Sequence, residues 1–321
     1  SQPGKLKSGI ESLTCDYRHT ATSEEFRKIP GSPVAYWASG RLRKTFENGR
    51  LLSSECSTRK GMATGLNAKF VRAWHEVSVN RIGFGLSRVG AKLSSFKWFP
   101  YANGGGYRKW YGHHEDVVNW ESDGRQLQTE EHESGRIRAV NLNLDFIFER
   151  GLSWTSISSG LFSIRYLPTG FLFSSASNAL FCMPDENPNV YLGLLNSKAH
   201  ASLAKVLNPT VNINPGDIGN IPVVSCPDPV STLVPQLLGP SMDDWDAYER
   251  SWDFQSLPLL TASADPVRSL ESSYAAWITQ NRAKIVEMKR LEEENNSLFI
   301  NAYGLADELT PEVPIEQITL T

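Results

Sequence analysis

Leu161-Phe162-Ser163-Ile164-Arg165-Tyr166-Leu167-Pro168-Thr169-Gly170-Phe171-Leu172-Phe173 decides how the middle of the chain folds. Two short apolar and aromatic runs flank Pro168-Thr169, the pattern of two strands joined by a hairpin turn or a tight corner. On the N-terminal side, Val77-Ser78-Val79 alternates as a strand does. On the C-terminal side, Val190 to Leu207 reads as one helix with Leu194, Leu195, Leu203 and Leu207 inward. It stops before Pro209, because a residue preceding proline avoids the helical region. Residues 56–226 therefore read as a mixed domain in which strands are favoured.

The flanks differ. Residues 1–55 read as a connector, with a turn at Pro30-Gly31-Ser32-Pro33. Tyr36, Trp37, Leu42 and Phe46 suggest a short amphipathic helix ending near Asn48-Gly49. Residues 227–240 are Pro-rich and apolar without a period, so a linker is expected. Residues 241–321 read as helical, with a helix start at Ser241 before Asp243-Asp244. From Arg268 to Tyr303 the apolar positions Leu270, Tyr274, Trp277, Ile285, Met288, Leu291 and Phe299 recur near threes and fours. One long helix packed within its own domain is expected, with a break at Asn295-Asn296. The fold class is α+β, a mixed domain followed by a helical C-terminal domain.

The 321 residues are 40% hydrophobic and include nine Trp, enough for a substantial core. No apolar stretch of about 20 residues predicts a membrane span, and no N-terminal apolar run predicts a signal peptide. Cys15, Cys56, Cys182 and Cys226 lie far apart in sequence and form no C-x-x-C pair, so reduced thiols in a cytoplasmic protein are expected. Ser1-Gln2-Pro3-Gly4 carries no initiator Met, which suggests a piece of a longer chain. The net charge of −3 hides a segregation: residues 41–110 carry 14 basic and 3 acidic side chains, a balance of +11, while residues 151–321 carry 9 and 19. A local field of that size suits a polyanion.

Most motifs for small-molecule chemistry are weak. Gly83-Phe84-Gly85 reads as a turn rather than a cofactor loop, since no acidic residue follows about 20 positions on. Ser57-x-x-Lys60 and Ser94-x-x-Lys97 match a Ser/Lys acylation pattern twice in one stretch, without its partner motifs. His113-His114-Glu115-Asp116 alternates sides if extended, which does not gather a metal set. The strongest feature is Phe96-Lys97-Trp98-Phe99-Pro100-Tyr101, then Asn103-Gly104-Gly105-Gly106, then Tyr107-Arg108-Lys109-Trp110-Tyr111. Cations alternate with flat rings around a glycine tip. Such a segment is either a hairpin whose aromatics are core or one that grips nucleic acid by phosphate contacts and stacking. A mixture is expected, with Trp98 buried as an anchor and Arg108 and Lys109 displayed at the tip.

These residues also carry a resemblance. Arg59-Lys60-Gly61-Met62-Ala63-Thr64-Gly65-Leu66-Asn67 resembles the R-x-G-x-x-T-G-x-N entry to the target-recognition region of PglX-type adenine methyltransferases, the modification enzymes of bacteriophage-exclusion (BREX) systems. The likeness continues through Asn80-Arg81-Ile82-Gly83-Phe84-Gly85, Lys97-Trp98-Phe99-Pro100-Tyr101, Arg108-Lys109-Trp110-Tyr111-Gly112, Trp154-Thr155-Ser156-Ile157-Ser158-Ser159-Gly160 and Pro168-Thr169-Gly170-Phe171. It extends to Leu194-Leu195-Asn196-Ser197-Lys198 and to Glu308-Leu309-Thr310-Pro311-Glu312, covering the chain from about Phe26 onward.

The resemblance implies a target-recognition domain at 56–226, a connector from a missing methyltransferase half at 1–55, and a linker and helical domain at 227–321. In that family the preceding half holds S-adenosylmethionine on an F-x-G-x-G loop and a flipped adenine at Asn-Pro-Pro-Tyr. Here Asn-Pro occurs at Asn187-Pro188, Asn208-Pro209 and Asn214-Pro215, followed by Asn189, Thr210 and Gly216, and nowhere by Pro-Tyr. No catalytic residue, no cofactor and no metal are therefore expected in this piece, which should be inactive alone. The expected partners are double-stranded DNA, the missing methyltransferase half and other defence-system proteins, with no membrane. Arg59, Lys60, Thr64, Asn67, Lys97, Arg108, Lys109, Ser158 and Arg165 are the candidate DNA contacts, of which Thr64 and Asn67 could instead cap a helix. The rival functions are a stand-alone enzyme and a protein-interaction module.

Overall fold

The structure is a computed structural model that describes residues 27–157, 160–224, 227–262 and 269–320. It is mixed α+β, as expected. The described elements run from α1 (Gly40–Asn48) through β1 (Arg50–Leu51), β2 (Cys56–Arg59), α2 (Asn67–Phe70), β3 (Val71–Ala73), α3 (Arg88–Leu93), β4 (Trp98–Ala102), β5 (Asp116–Asn119) and α4 (Glu121–Thr129). It continues with β6 (Gly151–Thr155), β7 (Ile164–Leu167), β8 (Leu172–Phe173), β9 (Ser177–Cys182), α5 (Pro188–Leu195), α6 (Lys198–Leu207), α7 (Pro215–Gly219), β10 (Pro222–Val223), α8 (Val230–Asp246), α9 (Pro258–Thr261) and α10 (Leu270–Ala302).

Two four-stranded sheets organise the middle. One runs β2-β9-β6-β7, antiparallel throughout, and the other β3-β5-β4-β8, with β4 and β8 parallel. The Pro168-Thr169 junction is the corner between them rather than a hairpin, because β7 and β8 pair in different sheets. Gly170 takes φ +97° there, and a Cβ on it would lie 2.7 Å from the Gly85 backbone, so the corner requires glycine.

Strand alternation explains how two cores share one wall. On β9, Leu180 enters a core with Leu152, Trp154, Ile164 and the helices, while Ala179 and Phe181 enter a second core with Phe99, Tyr101, Val118, Phe148 and Phe173. The first core also takes Leu42 and Phe46 of α1 and Met288, Leu291 and Phe299 of α10, so the N-terminal helix and the C-terminal helices pack on the same apolar mass. Cys56 and Cys182 face each other across β2 and β9 with sulfurs 3.2 Å apart, both free thiols. Cys15 and Cys226 lie outside the described residues.

Several expectations are corrected. Val77-Ser78 links two short 3₁₀ turns and Val79 opens the second, so the segment is not a strand. The stretch 190–207 is two helices, broken where Ser197 caps α6 through its hydroxyl and the His200 N–H. The expected linker is mostly helix: Val230, Leu233, Val234, Leu237, Ser241 and Trp245 of α8 are buried at spacings of three and four. Pro235 faces solvent and Pro240 is half-buried, and the buried stripe outweighs their cost to the helix. Ser241 therefore lies inside a helix and starts none. Asn295 and Asn296 do not break α10. Both are buried, Asn295 donating to Gly193 O at 3.0 Å and Asn296 accepting from Lys198 N at 2.9 Å, so they tie α10 to α5 and α6.

Candidate nucleic-acid interface

The R-x-G-x-x-T-G-x-N run leaves β2 and enters α2. The Thr64 hydroxyl accepts from Leu66 N at 3.3 Å and meets Asn67 Oδ1, and Thr64 itself is buried. Its oxygen is thus consumed in shaping the turn. Gly65 has φ +69°, and a Cβ on it would strike Arg138 O at 2.4 Å. Asn67 and Lys60 are exposed, and the Lys60 carbonyl is held by Asn143 Nδ2 at 2.8 Å. Arg59 is half-buried, its guanidinium 4.6 Å from the Phe146 ring centre. Ser158 lies outside the described residues.

The aromatic–cationic segment inverts the expected mixture. Trp98, expected as a buried anchor, is only half-buried at the start of β4. Lys97 Nζ lies 5.7 Å and Arg72 Cζ 6.0 Å from its ring centre. Arg72 comes from β3, two strands away across β5, so the register of the sheet brings it beside Trp98. Sequence reasoning missed Arg72; its signal was the apolar–cation–apolar pattern Val71-Arg72-Ala73 ahead of Trp74. Neither Arg72 nor Lys97 has a carboxylate within 4 Å among the described residues, and the same holds for Arg59, Lys60 and Lys92. Arg50, Lys69, Arg81, Arg88, Arg108 and Lys109 of the same basic stretch are paired with carboxylates, so its positive charge is cancelled only in part.

Arg108 and Lys109, expected at the surface, are each only 7% exposed. Arg108 donates to Asp244 at 2.7 Å and to Tyr111 O at 2.7 Å. Lys109 Nζ meets Glu292 at 2.6 Å, and the other oxygen of that carboxylate accepts from Trp110 Nε1 at 2.8 Å. The physical reason is long-range: α8 and α10 supply carboxylates that make burial of these cations affordable. Burial lowers the Arg108 pKa more than Asp244 raises it. For Lys109, burial acts downward, but Glu292 and Tyr107 outweigh it and the pKa is raised.

Arg165 is also buried, at 1% exposure. It lies on β7, donating to Arg108 O at 3.2 Å and Thr155 Oγ1 at 3.1 Å, with its pKa brought down to about 10 by burial and then by Arg108. His113 and His114 are held neutral, at about 4 and about 3, by burial and then by Arg165. Among the described residues no three His, Cys, Asp or Glu side chains gather to hold a metal, and no helix is long and apolar enough to cross a membrane.

The chain is related to adenine-specific methyltransferases. It is 38% identical over 310 residues to the adenine-specific methyltransferase PglX of Lacticaseibacillus casei (strain Zhang), covering 95% of this chain and 26% of that protein. It is 34% identical over 312 residues to the adenine-specific methyltransferase BrxX of Escherichia coli O9:H4 (strain HS), covering 95% of this chain and 24% of that protein. The chain thus corresponds to a region of PglX-type adenine-specific methyltransferases and spans about a quarter of the length of these curated relatives. No protein-family model matches it. Among solved structures it is similar to the Type IIL restriction-modification enzyme MmeI in complex with DNA, at 12% identity and a TM-score of 0.42, covering 82% of this chain and 35% of that one.

Proposed function

We propose that this chain is the part of an adenine-specific methyltransferase of phage defence that reads double-stranded DNA in the cytoplasm. The observation that carries the reading is the half-exposed Trp98 ring flanked by Arg72 and Lys97, two cations with no carboxylate within 4 Å among the described residues. Cations of this kind hold phosphates, and a flat ring among them packs on sugar or wedges a base step. Arg59, Lys60 and Asn67, on and just after the strand-to-helix turn, extend the proposed surface. Methyl transfer and S-adenosylmethionine binding fall, in this reading, to residues outside the chain.

The test is duplex binding by the whole chain at two salt concentrations. Six phosphate contacts lose about a thousandfold in affinity between roughly 50 and 200 mM salt. Affinity that ignores salt, or no binding at low salt, sinks the reading.

A second reading, a protein-docking module, is favoured by one observation. The inward stripe of α10 continues past its core into Leu270 and Tyr274, which are 74% and 52% exposed. Co-purification with the methyltransferase part, lost on Leu270→Asp, would support it.

A further inference from the structure

We propose that the Gly104–Gly106 tip is an oxyanion seat for a DNA phosphodiester, with Arg165 as the buried counter-charge beneath it. The inference rests on the DNA-reading function proposed above and assigns one site within it.

The first observation is the missing anion. Arg165 is 1% exposed, yet no carboxylate lies within 4 Å of it among the described residues. Its neighbour Arg108 is another cation, and that one has its own partner in Asp244. Arg165 instead donates to a backbone carbonyl and to the Thr155 hydroxyl. A buried charge without an opposite charge is costly, and an apolar side chain of similar volume fills such a place at no such cost. An anion that arrives with a ligand supplies the reason to keep it.

The second observation is how the tip is held. Thr155 Oγ1 accepts from Arg165, accepts from Gly105 N at 3.2 Å and donates to Gly105 O at 2.9 Å, so one hydroxyl links the guanidinium to the loop. His113, neutral at ordinary pH, donates Nε2–H to Gly106 O at 3.0 Å. The carbonyls of Gly105 and Gly106 are therefore engaged. The N–H groups of Gly104, Gly106 and Tyr107 have no partner among the described residues. Gly105 and Gly106 are exposed, and at Gly106 a Cβ would meet nothing within 4 Å, so an oxyanion can approach the backbone closely there.

The experiment compares the whole chain with Arg165→Met and Gly106→Leu. Arg165→Met removes the charge at similar volume. Gly106→Leu covers the tip; a Cβ there meets nothing within 4 Å and φ is not positive, so folding is not strained. Duplex affinity is measured from about 50 to 200 mM salt alongside melting temperature. The expected result is roughly a tenfold loss of affinity in each variant, with the slope of log affinity against log salt reduced by about 1 for Arg165→Met. The melting temperature of Arg165→Met should hold or rise. A third arm adds inorganic phosphate at constant ionic strength, which should raise the wild-type melting temperature little and compete with DNA weakly. If phosphate stabilises the wild type but not Arg165→Met while both bind DNA equally, the seat serves a free oxyanion and the phosphodiester assignment is overturned. If the wild type binds duplex and both variants bind it equally with no phosphate effect, the seat is overturned and the DNA reading stands. If the wild type binds no duplex, both fall.

Discussion

The chain contains two Lys-Trp pairs, and they meet opposite fates. Lys97-Trp98 opens a strand with the ring half-buried and both neighbouring cations free of carboxylates among the described residues. In Lys109-Trp110 both side chains are buried and both donate to the single carboxylate of Glu292. The dipeptide is the same; the difference is an acidic side chain on α10. Lys109 goes inside because an anion is there to receive it. The charge segregation along the sequence is thus partly an internal complementarity, in which acids of the C-terminal half neutralise buried bases of the N-terminal half. What remains uncompensated at the surface is the part able to meet a polyanion.

The comparison breaks most visibly at Glu292. Glu292→Gln strands the Lys109 ammonium in a buried site and should cost about 3–5 kcal/mol in denaturant unfolding. Lys109→Met with Glu292→Leu removes both charges and should recover most of that loss, less about 1–3 kcal/mol for the Trp110 N–H left without an acceptor. Equal destabilisation by the single and the double variant would show that the ion pair is not what permits burial.

Acid sharpens the same contrast with a smaller effect. Burial first, and then Arg165 for two of them, lowers the pKa of His113, His114 and His200 to about 4, 3 and 4, from an ordinary 6.5. The unfolded chain takes up these protons at higher pH than the folded one, so stability is full above about pH 6.5 and falls as pH drops below it. Each histidine contributes on the order of 1.4 kcal/mol per pH unit over that window. Glu115 and Asp116, whose pKa values burial raises, act in the opposite direction as pH falls towards the ordinary carboxylate range. Unfolding midpoints at pH 7, 6 and 5 should fall in order, and His200→Phe should flatten the slope. A flat profile would mean that these rings are not held neutral.

The sequence shows local features well and pairings poorly. Leu161–Phe173 reads as two strands about a hairpin turn or a corner because apolar runs around Pro168-Thr169 are a local signal. That β7 and β8 join different sheets depends on partners β6 and β4, which no local pattern names. The burial of Lys109 depends on a side chain 183 positions away. Thr64 and Asn67 were legible as a possible cap, and Thr64 is consumed in the turn. Arg72 was hidden because its place beside Trp98 exists only once β3, β5 and β4 are in register. Prolines misled at 227–240, since Pro235 on the exposed side of α8 spares the buried stripe that makes the helix.

The smallest expected change in stability lies at Arg72 and Lys97. Exposed or half-exposed cations without ion-pair partners contribute about 0–1 kcal/mol to folding. Arg72 donates to Ala68 O at 2.7 Å and Val71 O at 2.6 Å, so Arg72→Ala should cost more than Lys97→Ala within that range. Their effect on DNA should be larger than their effect on folding. If both hold phosphates, each alanine variant weakens duplex binding about equally for unrelated sequences and lowers the salt slope by about 1, because one fewer counterion is released. If one of them reads a base edge, its loss costs about 1–3 kcal/mol on the preferred duplex only and leaves other duplexes unchanged. Trp98→Phe keeps a ring with less face and should weaken binding less than Trp98→Ala. Measuring all four variants on two unrelated duplexes sorts cation from ring and phosphate from base. Should the cation variants bind as the wild type does while Glu292→Gln still unfolds readily, the buried Lys-Trp pair would remain a structural device and the exposed one would lose its proposed role.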